Sequence, residues 1–146
     1  MSSREYLDDP TIPDKAELLR RIPSHHFYFD ENLGQVRPSS AAFDDPDGSP
    51  MSVILAEVLS QSGRALETTL AGHEGFALAS ITAGLARECG QGIAREPLPD
   101  EPAHAVVFGK KTKGVRKRLA RAALWVVSPQ GLPSPYKLFL LHRTQV

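Results

Sequence analysis

The stretch from Ala103 to Val127 constrains the fold more than any other part of this 146-residue chain. Ala103 to Phe108 is an apolar run, broken only by His104, with the length of one buried strand. Gly109 to Lys111 supplies a tight turn, Thr112 is placed to cap a helix, and that helix is expected to run to about Ala123. Leu124 to Val127 reads as a second strand. Val115, Leu119 and Ala122 fall at i, i+4 and i+7, so one stripe of the helix can pack on a sheet. Strand, helix and strand within about 25 residues suggest a βαβ-like unit, with antiparallel pairing as the alternative.

The remaining elements are shorter. Residues 1–13, with Pro10 and Pro13, read as a flexible or surface-draped lead-in. Asp14 caps an expected helix through Arg21, with Leu18, Leu19 and Ile22 on its apolar side and Pro23 as its stop. His26 to Phe29 is a strand candidate, followed by turn chemistry at Asp30 to Gly34. Asp44 to Pro50 is an acidic loop. Ser52 is read as the N-cap of a helix from Val53 to Leu59, although Val53-Ile54 also tolerates a strand. A second helical stretch is expected from Arg64 to Leu70. Phe76 to Thr82 reads as a strand, Gly84 to Cys89 as a helix and Gln91 to Glu96 as a strand. Pro97, Pro99 and Pro102 stiffen the connector that follows. Past Pro129, Pro133 and Pro135, residues 136–141 offer an edge strand on a proline-led tail of residues 129–146.

The expected fold class is therefore α+β: residues 14–128 as a single domain, its small mixed β-sheet covered by short helices, ending in a strand–basic helix–strand unit. At 41% hydrophobic and 23% charged residues, the composition is that of a globular domain. No apolar run approaches the ~20 residues of a membrane-spanning helix. The acidic opening MSSREYLDD suits neither a secretory signal nor a transit peptide, so the cytoplasm is the expected compartment. The single cysteine, Cys89, allows no internal disulfide and no multi-thiolate zinc site. No cofactor motif is present, and no metal is expected: His25 and His26, adjacent on a strand, would point to opposite sides.

A net charge of zero conceals a division. Residues 1–101 hold all 17 acids and eight bases, a balance of −9; residues 102–146 hold nine bases and no acid, a balance of +9. Either the two parts cancel against each other on folding, or a basic face stays open for an anionic partner. Seven of those bases, Lys110, Lys111, Lys113, Arg116, Lys117, Arg118 and Arg121, lie in 12 residues. On a helix Lys113, Lys117 and Arg121 share one face with Arg118 beside them, opposite the apolar stripe. This predicts contacts to phosphate, with Lys110, Lys111, Lys113, Lys117, Arg118 and Arg121 as the binding residues and affinity that falls with salt. The helix carries no aromatic residue for base stacking, so single-strand sequence recognition gains no support. The turn from Gly109 to Gly114 precedes the helix and can hold a phosphate at a helix N-terminus, but it lacks the G-K-[ST] ending of a P-loop.

Three functions follow. The first is a small non-enzymatic binding or accessory module that engages an anionic partner, nucleic acid foremost, through residues 110–121. The second is a protein-interaction component that meets an acidic protein surface with the same face. An Ala- and Arg-rich composition associates it with a bacterial multi-protein system, and the C-terminal segment offers a homo- or hetero-oligomer contact. The third is an enzyme on a phosphate-containing substrate, with His104 as general base beside Arg37 and Ser39 or Ser40. The bland reading of His104 is a half-buried ring bonded to a backbone carbonyl. An arginine followed by serines on a strand resembles the ADP-ribosyltransferases, but that family also requires a glutamate on a late strand. No acid follows Glu101, so no family is assigned.

Overall fold

The computed structural model describes residues 5–129, which form an α+β domain. Six strands make the main sheet: β1 (Glu17–Ile22), β4 (Met51–Leu55), β5 (Ala77–Thr82), β6 (Gly92–Arg95), β7 (His104–Phe108) and β8 (Leu124–Val127). Their order is β6-β7-β4-β1-β5-β8, and each neighbouring pair is antiparallel. β2 (Phe27–Asp30) and β3 (Gln35–Pro38) form a separate hairpin. Three α-helices, α1 (Ala56–Gln61), α2 (Ala83–Glu88) and α3 (Lys113–Ala122), and three 3-10 turns complete the elements of the described residues.

The strand–helix–strand unit is present as expected, with Thr112 accepting the Val115 N–H at 3.2 Å. β7 and β8 are not neighbours, however. β4, β1 and β5 lie between them, so α3 crosses most of the sheet. The alternation of directions leaves β7 and β8 parallel to each other, as a crossover helix requires.

Both sides of the sheet are covered. On one side Leu18, Ile22, Val53, Leu55, Ile81, Ala105 and Val107 pack with Phe43 and with Leu119, Ala120 and Ala123 of the α3 region. On the other, Leu19, Ile54, Leu78 and Ala103 pack with Leu59 of α1 and with Leu66 and Leu70. The apolar stripe of α3 runs through Val115, Leu119 and Ala123, whereas Ala122 faces solvent. That is the expected stripe turned by one residue, because the i, i+4, i+8 row meets the sheet.

Three expected helices are corrected. Residues 17–22 are not a helix but β1, the strand between β4 and β5. The spacing of Leu18, Leu19 and Ile22 suits one helix face, yet a central strand needs apolar residues on both sides, and tertiary burial overrides helix propensity. Ser52 is not a helix cap either. β4 continues through Leu55, and α1 begins only at Ala56, so β-branched Val53 and Ile54 take strand geometry. The expected helix from Arg64 to Leu70 shrinks to a 3-10 turn over Leu66–Leu70.

Residues 5–13 lie along the edge strand β6. The Asp9 N–H donates to Ile93 O at 2.8 Å, the Ile93 N–H donates to Asp8 Oδ1 at 2.9 Å, and Ile12 is buried. Tyr6 stacks on Phe108 with ring centroids 5.7 Å apart. The lead-in thus covers an otherwise open edge. The edge strand expected at 136–141 lies outside the described residues.

Candidate anion-binding cleft

Gly109 starts the turn into α3 with φ +139°, and a Cβ there would meet the Gln91 side chain at 2.8 Å. Only glycine suits that position. The bases of residues 110–121 fall into two groups. Lys111 folds back: its Nζ donates to Val107 O at 2.8 Å and meets Asp45 Oδ1 at 2.9 Å, with 2% of the side chain exposed. Burial lowers its pKa and Asp45 opposes that shift. Lys111 is therefore part of the domain's internal structure and not of an open binding face. Arg116 pairs with Asp44 at 2.8 Å, and Arg118 with Glu88 at 2.9 Å. The Arg118 pair is exposed, so it costs little to break.

Lys110, Lys113, Lys117 and Arg121 form the second group. All four are exposed, and among the described residues none forms an ion pair. The acidic and basic parts of the chain thus cancel in part, through Asp44, Asp45 and Glu88, and leave a row of cations along the outer side of α3.

The β2–β3 hairpin docks against the end of that row. Arg37 must be extended before Pro38, and it lies in β3. Its Nη2 donates to Ala123 O at 2.7 Å, Ala120 O at 3.0 Å and Arg121 O at 3.3 Å. These carbonyls belong to the C-terminal turn of α3, where a helix leaves acceptors unsatisfied and carries partial negative charge. Arg37 neutralises that end. Trp125 Nε1 donates to Val36 O at 2.9 Å, and Phe27 meets the Trp125 ring edge-on at 5.6 Å, which fixes the hairpin further.

Between hairpin and helix is a cleft of about 310 Å³, lined by Tyr28, Asp30, Arg37, Ser39, Ser40, Lys117 and Arg121 among others. Ser39 occupies the cap position of a 3-10 turn over Ser40–Phe43, but its hydroxyl makes no capping bond. Asp30 is the one acid in the lining. Its Oδ1 accepts the Asn32 and Leu33 N–H groups at 2.9 and 3.1 Å, so much of its charge is directed into its own turn. Lys117, Arg121 and two serines, facing one space beside the Arg37 anchor, can receive an anion with several oxygens.

The cleft unites two groups that the sequence keeps 80 residues apart, namely Arg37, Ser39 and Ser40 with Lys117 and Arg121. His104 is not among its lining residues. β7 pairs with β4, and His104 lies opposite Ile54, on the side of the sheet away from α3. The grouping of His104 with Arg37 and Ser39 is therefore not assembled. The His104 ring contacts Glu96 O through Nδ1 at 2.8 Å and Ser52 Oγ through Nε2 at 3.1 Å, and the residue is 6% exposed. Tyr28 and Asp30 were not singled out in the sequence, since only the docking of the hairpin brings them to the cations. His25 and His26 have ring centroids 4.3 Å apart, but among the described residues no three His, Cys, Asp or Glu side chains are grouped to hold a metal.

No described helix is long and apolar enough to cross a membrane. No family model matches the chain, and no curated protein or solved structure matches it either.

Proposed function

We propose that the basic face of this protein is a non-catalytic binding site for a phosphate-bearing polyanion, nucleic acid foremost, in the cytoplasm. One observation carries the reading: Lys117 and Arg121 share a cleft with Arg37, Ser39 and Ser40. Lys113, Lys117 and Arg121 extend over about 12 Å of helix, a length in which one strand of duplex carries three to four phosphates. Phosphate oxygens would meet the cations of α3 and the serine hydroxyls of the 3-10 turn after the hairpin, contacts that position a backbone without reading bases.

The test is binding of labelled DNA and RNA by the protein and by the double variant Lys117→Glu/Arg121→Glu. The variant is expected to keep its fold, because both side chains are exposed, and to bind far more weakly. Unchanged affinity in the folded variant would reject the reading. Specific protein partners retained after nuclease treatment, with no affinity for nucleic acid, would assign the same face to an acidic protein surface.

A further inference from the structure

The hydrogen bonds of His104 define a second site, independent of the cation row. Glu96 O can only accept, so Nδ1 of His104 is the donor in that 2.8 Å bond. In the neutral ring Nε2 then carries the lone pair, and the 3.1 Å contact to Ser52 is a hydroxyl donating to a base. The Glu96 carboxylate lies behind the ring, with Oε1 3.7 Å from Nδ1, where it can stabilise an imidazolium. A hydroxyl within reach of a histidine nitrogen, with the ring oriented from its far side, is the arrangement of an activated nucleophile.

Ser52 also opens onto a cavity. It is half-buried and lines a cleft of about 290 Å³ together with Arg20, Arg21, His26 and His73. No acidic residue lines that cleft among the described residues. Arg21 is held in place by His73, whose ring nitrogens lie 3.1 and 3.3 Å from Nη1, and by Thr69 O at 3.4 Å. A nucleophile at the wall of a positively charged cleft suits a substrate with a negative group near the reacting bond.

We infer that Ser52 and His104 form a hydrolytic site for an ester that carries an anionic group. The Ser52 proton passes to Nε2 of His104 as Oγ bonds to the ester carbonyl carbon. The bond from that carbon to the leaving oxygen breaks, and that oxygen takes the proton from Nε2, which leaves Ser52 acylated. Water then gives a proton to the same nitrogen as its oxygen bonds to the acyl carbon; the bond from that carbon to Oγ breaks, and Oγ takes the proton back from Nε2, which releases the carboxylic acid and the free serine.

A fluorophosphonate probe tests the nucleophile on the full chain, since an activated serine displaces fluoride and gains the phosphonyl group. Tandem mass spectrometry is expected to place the adduct on Ser52. The variant His104→Gln, shown to be folded by circular dichroism, should label at least ~100-fold more slowly. No adduct on Ser52 in the native protein, or equal labelling of the folded variant, overturns the proposal. Should the variant not fold, the position of the adduct in the native protein decides alone. Among chromogenic esters, p-nitrophenyl hemisuccinate should be hydrolysed faster than p-nitrophenyl acetate, and the reverse order rejects the anionic substrate.

Discussion

Arg37 holds the two halves of the candidate cleft together through one guanidinium group. Three carbonyls at the end of α3 accept from its Nη2, so truncation would leave acceptors unpaired and release the hairpin. Arg37→Ala should destabilise the domain by about 1–3 kcal/mol, measured by urea unfolding. A variant as stable as the parent would show that the contact contributes nothing. Gly114 gives a prediction of opposite sign. It lies in the first turn of α3, and a Cβ there would meet only Thr112 Oγ1 at 3.9 Å. Gly114→Ala should therefore stabilise by about 0.5–1 kcal/mol, and a loss of stability would contradict the helix geometry described. Glu101 sets an acid limit. Its carboxylate accepts from Arg64 Nη1 at 2.6 Å and from Nη2 at 3.1 Å, and these hydrogen bonds are the main cause that lowers its pKa. A depressed folded pKa stabilises the protein above the unfolded value, near 4.5, and that contribution is lost as pH falls through the folded value. Glu101→Gln should be less stable near neutrality by about 1 kcal/mol and show a shallower loss between roughly pH 5 and 3. Parallel stability–pH curves would refute the assignment.

At the scale of elements, α3 was legible because two signals coincide in it. Thr112 caps its start, and Val115 and Leu119 mark the side that meets the sheet, so the start and most of the buried face follow from residue type, although Ala122 turns outward and Ala123 inward. β1 was not legible. Leu18, Leu19 and Ile22 satisfy a helix pattern, and only the neighbours β4 and β5, more than 30 residues away, demand the strand. Ser52 was misread for the same reason: cap chemistry is local, whereas its partner His104 is 52 positions distant. In the cleft, spacing alone marks the cations of α3, but nothing beside Arg37 in the sequence shows that its hydrogen bonds fasten the hairpin to α3. Lys111 likewise looked like its neighbours and is instead buried against Asp45. An element-scale prediction follows from this division. Lys111→Ala should lower stability, because it removes the ammonium group from the Val107 carbonyl and from Asp45, whose Oδ1 then keeps the Met51 N–H. Lys113→Ala should leave stability within about 0.5 kcal/mol, since an exposed helix lysine supports no packing. Thermal unfolding separates the two, and equal effects would contradict the partition of α3 into inward and outward bases.

At the scale of the whole molecule, among the described residues the opposite charges of the two parts of the sequence meet only in places. Asp44, Asp45 and Glu88 neutralise Arg116, Lys111 and Arg118, and the sheet places the remaining row on the outer side of α3. A chain with zero net charge can thus present one strongly basic surface. The measurement that tests this most directly is fluorescence anisotropy of labelled duplex and single-stranded nucleic acid, titrated from about 50 to 200 mM salt. With Lys110, Lys113, Lys117 and Arg121 on the phosphates, log affinity for duplex should fall linearly with log salt, with a slope of about −3 to −4, and Lys117→Glu/Arg121→Glu should make it shallower by about 2. No binding at the lowest salt, or the same slope in the folded double variant, would contradict an open anion-binding face on α3.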